Sequence, residues 1–179
     1  DYATAWSYGR AESWNLLIPD FMGGDSGRAF TRDGEVAKAL KPYGLESFAE
    51  QLPAYWGEQP YTAGPTYLGA AALFLALLGL LLASGRNKWW IAAVSLLTLL
   101  LAWGHNFMGF TEFAFKYLPG YNKFRTVSMA LVVVEWTVPL LAALALMPLW
   151  RGEVPRRKLL RALAWAGGIT GGFCLLFAV

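Results

Sequence analysis

The sequence is short of the residues that most often announce chemistry. It has one cysteine, Cys174, and one histidine, His105, among 179 residues. A single cysteine excludes an intrachain disulfide, so cysteine usage is silent on the redox compartment. A lone histidine without cysteine or acidic partners at ligand spacing anchors no metal site, and none is expected. Charge is scarce too: 15% of residues are Asp, Glu, Lys or Arg, against about 25% in an average soluble domain. There is no phosphate loop, Asp-x-Asp pair, zinc spacing or nucleophile elbow. Asp1 opens a polar stretch with neither an initiator Met nor the basic-then-apolar start of a signal peptide. The last residues, Leu175 to Val179, are apolar, and the expectation is an internal piece of a longer membrane protein.

What is present is apolar: 56% of residues are hydrophobic and the mean hydropathy is +0.39. Residues 1–63 are polar, rich in aromatics and acidic, with five cations against nine anions. The positive excess lies beside the apolar runs of residues 64–179, so the overall charge of +3 gives no reason to expect nucleic acid. Glu35 to Leu40 and Leu45 to Leu52 each support a short helix, bounded by Pro42 and Pro53. Beyond residue 63 four apolar runs predict spans at about 65–84, 88–104, 128–149 and 159–179. Pro65 suits the first turn of the first. The second is short, and a re-entrant segment is an alternative. The connectors before the second and fourth runs carry Arg86, Lys88, Arg151, Arg156, Arg157 and Lys158. The positive-inside rule places them in the cytoplasm, which puts residues 1–63 and the loop 104–127 together outside. The fold class expected is therefore an all-α integral membrane protein with about four transmembrane helices and an outward-facing, partly helical N-terminal segment.

Several residues stand out as candidates, each with a plainer reading beside it. Glu135 lies inside the third run, where a carboxylate is costly and normally faces the protein interior with a partner. It reads as a site carboxylate, a proton-handling group or half of a structural pair. Lys123 and Arg125 flank Phe124 and read as a clamp for a lipid-linked phosphate or as snorkelling headgroup anchors. His105 and Asn106 cap the second run. Trp56, Tyr61 and Tyr67 suit stacking on sugar rings, or a small aromatic core. Glu12 and Asp20 have base chemistry, but no spacing singles them out. Gly167, Gly168, Gly171 and Gly172 form overlapping Gly-xxx-Gly pairs and predict close helix packing.

WSYGRAESWNLLIPDFMGG, YWGEQPYTAGPTYLG, WGHNF and LPGYNKFR occur in this order. Together they resemble the YfhO family of bacterial membrane proteins, in the long forms found in Bacteroidetes. Members are much longer chains that look like GT-C glycosyltransferases, which transfer a sugar from a polyprenyl-phosphate carrier on the outer face of the membrane. Some are linked to teichoic acid glycosylation; a Gram-negative relative would use another surface polysaccharide or lipid as acceptor. The resemblance implies a bacterial cytoplasmic-membrane location and a lipid-linked sugar donor, with no other cofactor. It implies membrane lipids and further helices of the same longer chain as partners, and a main catalytic base outside residues 1–179. It places carrier-phosphate binding on Asn122, Lys123 and Arg125, with His105 and Asn106 beside them. It places the sugar or acceptor side around Glu12, Trp56, Glu58 and Tyr61, leaving Glu12, Glu58 and Glu135 as candidate carboxylates. The rivals from other classes are a proton-coupled transporter or flippase, which Glu135 and a Pro139 kink would suit, and a non-catalytic membrane scaffold.

Overall fold

The computed structural model describes residues 4–31, 33–62, 64, 66–123 and 126–178. Among them the secondary structure is helical and contains no strand; Ala29 and Pro53 form an isolated antiparallel bridge. The N-terminal segment is a lobe of short turns. It holds a 3-10 turn at Ala11–Leu16, helix α1 at Glu35–Leu40 and a further 3-10 turn at Glu46–Gln51. The two short helices expected from the sequence are thus present, the second wound as 3-10.

The helical region holds α2 (Ala70–Leu82), α3 (Asn87–Ala102), α4 (Met108–Tyr117), α5 (Leu131–Trp150) and α6 (Arg156–Leu176). The expected four spans are too many. By length and composition two helices can cross a membrane: Val127–Trp150, counting the turn that leads into α5, and Arg156–Leu176. A third is reached only if α3 and Gly104–Tyr117, bent by 112° at their junction, act as one span. The first apolar run fails on length. Its helix has 13 residues, about 20 Å against about 30 Å of hydrocarbon. The reason is tertiary: Leu68 and Gly69, the latter at φ 99°, stay outside the helix, and both donate their N–H to the Leu16 carbonyl, at 3.2 and 3.1 Å. The helix therefore starts at Ala70, well past Pro65, which lies outside the described residues. The stretch 104–127 is also more than a loop, because α4 lies within it.

α5 is the hub. Its buried stripe, Leu131, Val134, Val138, Leu141 and Ala145, repeats at three and four residues and packs on α2, α3 and Tyr8 of the lobe. Gly79 of α2 meets the α5 backbone so closely that a Cβ there would overlap the Leu141 carbonyl. Close packing is thus achieved at Gly79, and the glycines of α6 do not supply it: nothing lies within 4 Å of a Cβ built on Gly168, Gly171 or Gly172. α6 instead packs through Ala162 and Ala166 against Leu78, Leu82 and Ala145.

These contacts fix the helix directions. The C-terminal ends of α2 and α5 meet the start of α6 in one cluster, so the basic connectors 83–86 and 151–155 share one end. At the opposite end the lobe rests on the last turn of α3 and on the end of α6, where Trp14 meets Phe173 and Phe177 at 4.8 and 4.9 Å between ring centroids. Away from the hub, Trp136, Leu140, Leu146 and Trp150 of α5 and Leu160, Trp165 and Leu175 of α6 are exposed. Glu135 lies on that outward face. It does not face the interior, because the buried stripe runs through Val134 and Val138. Among the described residues it has no hydrogen-bond or ion-pair partner.

Candidate functional site

Three of the sequence stretches, far apart along the chain, converge at the lobe end of α3. The 3-10 turn Ala11–Leu16 turns Glu12 inward, where it is 1% exposed. A carboxylate so buried requires donors. It has them: the Tyr55 hydroxyl and the Glu58 backbone N–H both reach Oε1, and Gln59 Nε2 donates to Oε2 at 3.2 Å. Gly57 is required here, since a Cβ would overlap Glu12 Oε1 and the Tyr55 hydroxyl. Tyr8 donates its hydroxyl to the Glu12 carbonyl at 2.7 Å, and its own N–H to the Ala102 carbonyl at 2.8 Å.

Pinned in this way, Glu58 presents a half-exposed carboxylate to the α3 end. Asn106 Nδ2 donates to Glu58 Oε2 at 2.6 Å and to the Tyr8 carbonyl at 3.2 Å. His105 Nε2 lies 3.8 Å from the same Oε2. His105 Nδ1 is 3.1 Å from the Thr4 carbonyl; a carbonyl only accepts, so Nδ1 carries the proton in that bond and Nε2 is the nitrogen turned to Glu58. Gly104, at φ 49°, makes the turn that delivers both residues, and the Ser7 hydroxyl takes the His105 N–H at 2.9 Å. Arg10 donates to the Asn106 carbonyl and lies 6.0 Å from the Trp103 ring centroid. Trp103 in turn donates its indole N–H to Ser13 at 2.9 Å.

The expected carrier-phosphate set is therefore divided. His105 and Asn106 belong with Glu58, whose charge opposes a phosphate beside them. Lys123 sits exposed on the turn Tyr121–Lys123 after α4. Arg125 and the Asn122 side chain lie outside the described residues. Of the candidate carboxylates, Glu12 is fully engaged and inaccessible, Glu135 lies apart on α5, and Glu58 alone combines access with a proton-handling neighbour. Trp56, Tyr61 and Tyr67 are all exposed. No group of three metal-binding side chains occurs among the described residues.

An apolar groove of about 370 Å³ runs between α2, α3, α5 and α6, and Ser13, Trp14 and Leu16 of the lobe line it. Its few hydroxyls already have partners: Ser13 accepts from Trp103 at 2.9 Å, Ser95 lies 2.8 Å from the Ile91 carbonyl and 2.7 Å from the Thr137 hydroxyl of α5, and Thr170 donates to Ala166 at 2.8 Å. One short turn thus lines the groove and also carries Glu12. No family model, curated protein or solved structure matches the chain. The site stands on its own geometry.

Sequence reasoning missed Tyr8, Arg10, Tyr55, Gly57 and Gln59. Each lies in one of the aromatic-glycine stretches WSYGRAESWN and YWGEQ, so the signal was a mixed polar and aromatic composition without an assigned partner.

The tyrosines carry a testable electrostatic signature. Burial, then the Glu12 charge, holds the Tyr8 hydroxyl neutral well above its ordinary 10.0. Burial, then the hydrogen bond to Glu12, does the same for Tyr55. Burial alone pushes Tyr121 up to about 12. A raised folded-state value stabilises the fold fully below pH 10.0 and progressively less as pH climbs past it. Phenolate absorbance during an alkaline titration should show Tyr8 and Tyr55 ionising only as the lobe opens, and Tyr121 only as its turn comes away from the end of α3. If Tyr8→Phe leaves the late-titrating fraction unchanged, the burial argument is wrong.

Proposed function

We propose that this chain contributes a general base, Glu58, to a GT-C-like membrane glycosyltransferase, which moves a sugar from a polyprenyl-phosphate carrier to an extracytoplasmic glycan or lipid; the base then lies within these residues and not, as the resemblance implies, outside them. The observation that carries the reading is one shared turn: Ala11–Leu16 lines an apolar groove of about 370 Å³ through Ser13, Trp14 and Leu16, and through Glu12 it holds the segment whose half-exposed Glu58 carboxylate lies beside the His105 imidazole. A lipid-linked sugar has the matching form, an apolar chain joined to a polar head. In this reading the helices lie in the bacterial cytoplasmic membrane. The lobe and residues 104–127 face outward, and the basic connectors face the cytoplasm.

The chemistry follows from the groups present. Glu58 accepts the proton of the acceptor hydroxyl as its oxygen attacks the anomeric carbon. The bond from that carbon to the carrier phosphate breaks as the new glycosidic bond forms, and the phosphate leaves with the electron pair. His105 Nε2 is placed to take the proton onward from Glu58. Arg10, which donates to the Asn106 carbonyl, is the cation of this cluster for the developing phosphate charge. Asn106 fixes the Glu58 rotamer and is a positioning residue.

The test uses the full chain in nanodiscs, supplied with radiolabelled polyprenyl-phosphate sugars. Glu58→Gln should lower kcat about 100-fold, the low end of general-base effects, with KM for the donor little changed. Transfer unaffected by Glu58→Gln would remove Glu58 from the chemistry. Proton-driven uptake of a lipid-linked precursor without transfer would replace the enzyme by a carrier.

A further inference from the structure

We infer that a second cavity on the lobe, between residues 20–31 and 54–56, is a carbohydrate site for a single neutral pyranose ring, separate from the Glu58 cluster. Its volume is about 250 Å³. That lies below the range of about 300–1,000 Å³ for drug-sized ligands and suits one ring.

The walls are built by backbone pairing. Ala54 donates to the Arg28 carbonyl at 2.7 Å and Trp56 to the Met22 carbonyl at 3.0 Å. Met22 donates in turn to Asn15 Oδ1 at 3.0 Å, and Asn15 is fully buried in the lobe. Gly23, at φ 79°, permits the close approach, since a Cβ would overlap the Ala54 carbonyl. The cavity is therefore held open by the lobe itself.

The side chains facing it form two sets. Trp56, 66% exposed, and Phe30 stand with ring centroids 6.1 Å apart and planes tilted by 43°, an open aromatic corner. Across from them, the Asp20 carboxylate and Arg28 guanidinium lie 3.9 Å apart, both more than half exposed. Among the described residues neither side chain makes a further hydrogen bond, so most of their capacity is unspent. A pyranose has the complementary form. Its C–H face covers an aromatic ring, while its hydroxyls donate to the carboxylate and accept from the guanidinium. The paired charges cancel, which favours a neutral sugar over an acidic one. Asp20 also opposes a phosphate.

This site does not rest on the transfer chemistry, and its test is direct binding without any lipid carrier. Full chain in nanodiscs is titrated with methyl β-glucoside and methyl β-N-acetylglucosaminide, with glucuronate as the charged comparison, followed by saturation-transfer NMR. Saturable binding of a neutral glycoside is expected. Trp56→Ala and Asp20→Asn should each weaken it about tenfold, while Trp56→Phe, which keeps a stacking face, should largely retain it. Binding that survives Glu58→Gln while transfer is lost separates the two sites. The proposal is overturned if neither glycoside binds, if glucuronate binds in preference, or if Trp56→Ala binds as tightly as wild type.

Discussion

Replacing Glu12 with alanine is expected to open the lobe at residues 54–59 and to cost about 3–5 kcal/mol, because buried donors lose their acceptor together. Glu12 is 1% exposed. The Tyr55 hydroxyl, the Glu58 N–H and Gln59 Nε2 all converge on its carboxylate. Water enters such a site only if the lobe moves. The consequence travels to function, since the Glu58 backbone is held in place by the bond that disappears. Glu12→Gln is the informative partner. It keeps the oxygen that serves Tyr55 and Glu58 but sets an amide against the Gln59 amide, so a loss of about 1 kcal/mol is expected. Hydrogen exchange at the Glu58 amide reads the difference. An alanine variant whose Glu58 amide exchanges no faster than wild type would show that Glu12 does not hold this segment.

Gly104→Ala carries the second large effect, about 2–5 kcal/mol. Part is backbone strain: at φ 49° a residue with a Cβ loses about 1–2 kcal/mol. The rest is overpacking, about 1–3 kcal/mol. The new methyl would overlap Ser7 Oγ and stand 2.6 Å from Val127 Cγ2. Ser7 cannot yield cheaply, because it is fully buried and joins the Thr4 carbonyl at 2.7 Å to the His105 N–H. The double variant Gly104→Ala with Ser7→Gly should recover only the part of the overpacking due to Ser7, leaving the strain and the contact with Val127. Thermal unfolding in detergent, followed with the His105 imidazole NMR signal, measures both. An unchanged midpoint for the single variant would count against the packing at this turn.

How much of this was legible depended on where each determinant lay. α5 and α6 were readable because their apolar runs are long enough to set their own length. α2 was not, because its start is decided by Leu16, which captures the N–H groups of Leu68 and Gly69 from more than fifty residues away in sequence. α4 had a local signature, with Thr111 and Ala114 buried among Phe110 and Phe115 at helical spacing. The surrounding polar residues disguised it as a loop. Glu135 was judged by its depth in an apolar run, yet which face it takes follows from the stripe Val134 and Val138 present to α2 and α3. At the site, Glu58, His105 and Asn106 were visible as residue types. Their meeting was not, because it depends on pairings 43 to 48 residues apart, most of them through a buried Glu12 that no periodicity marks.

The end of α3 has a consequence for the order in which the protein is made. A helix leaves its last carbonyls without partners of its own. Here Tyr8 supplies one at Ala102, Tyr121 supplies the one at Leu101, and Thr111 bonds the Gly104 carbonyl just beyond. The lobe precedes α3 along the chain but finds its seat only after Ala102 has left the ribosome, some ninety residues later. Closing so long a loop adds little entropy penalty beyond a shorter one, but it is slow relative to local helix formation. Local helices need no such closure, so the Glu58–His105–Asn106 cluster is complete only once the lobe has docked on the end of α3.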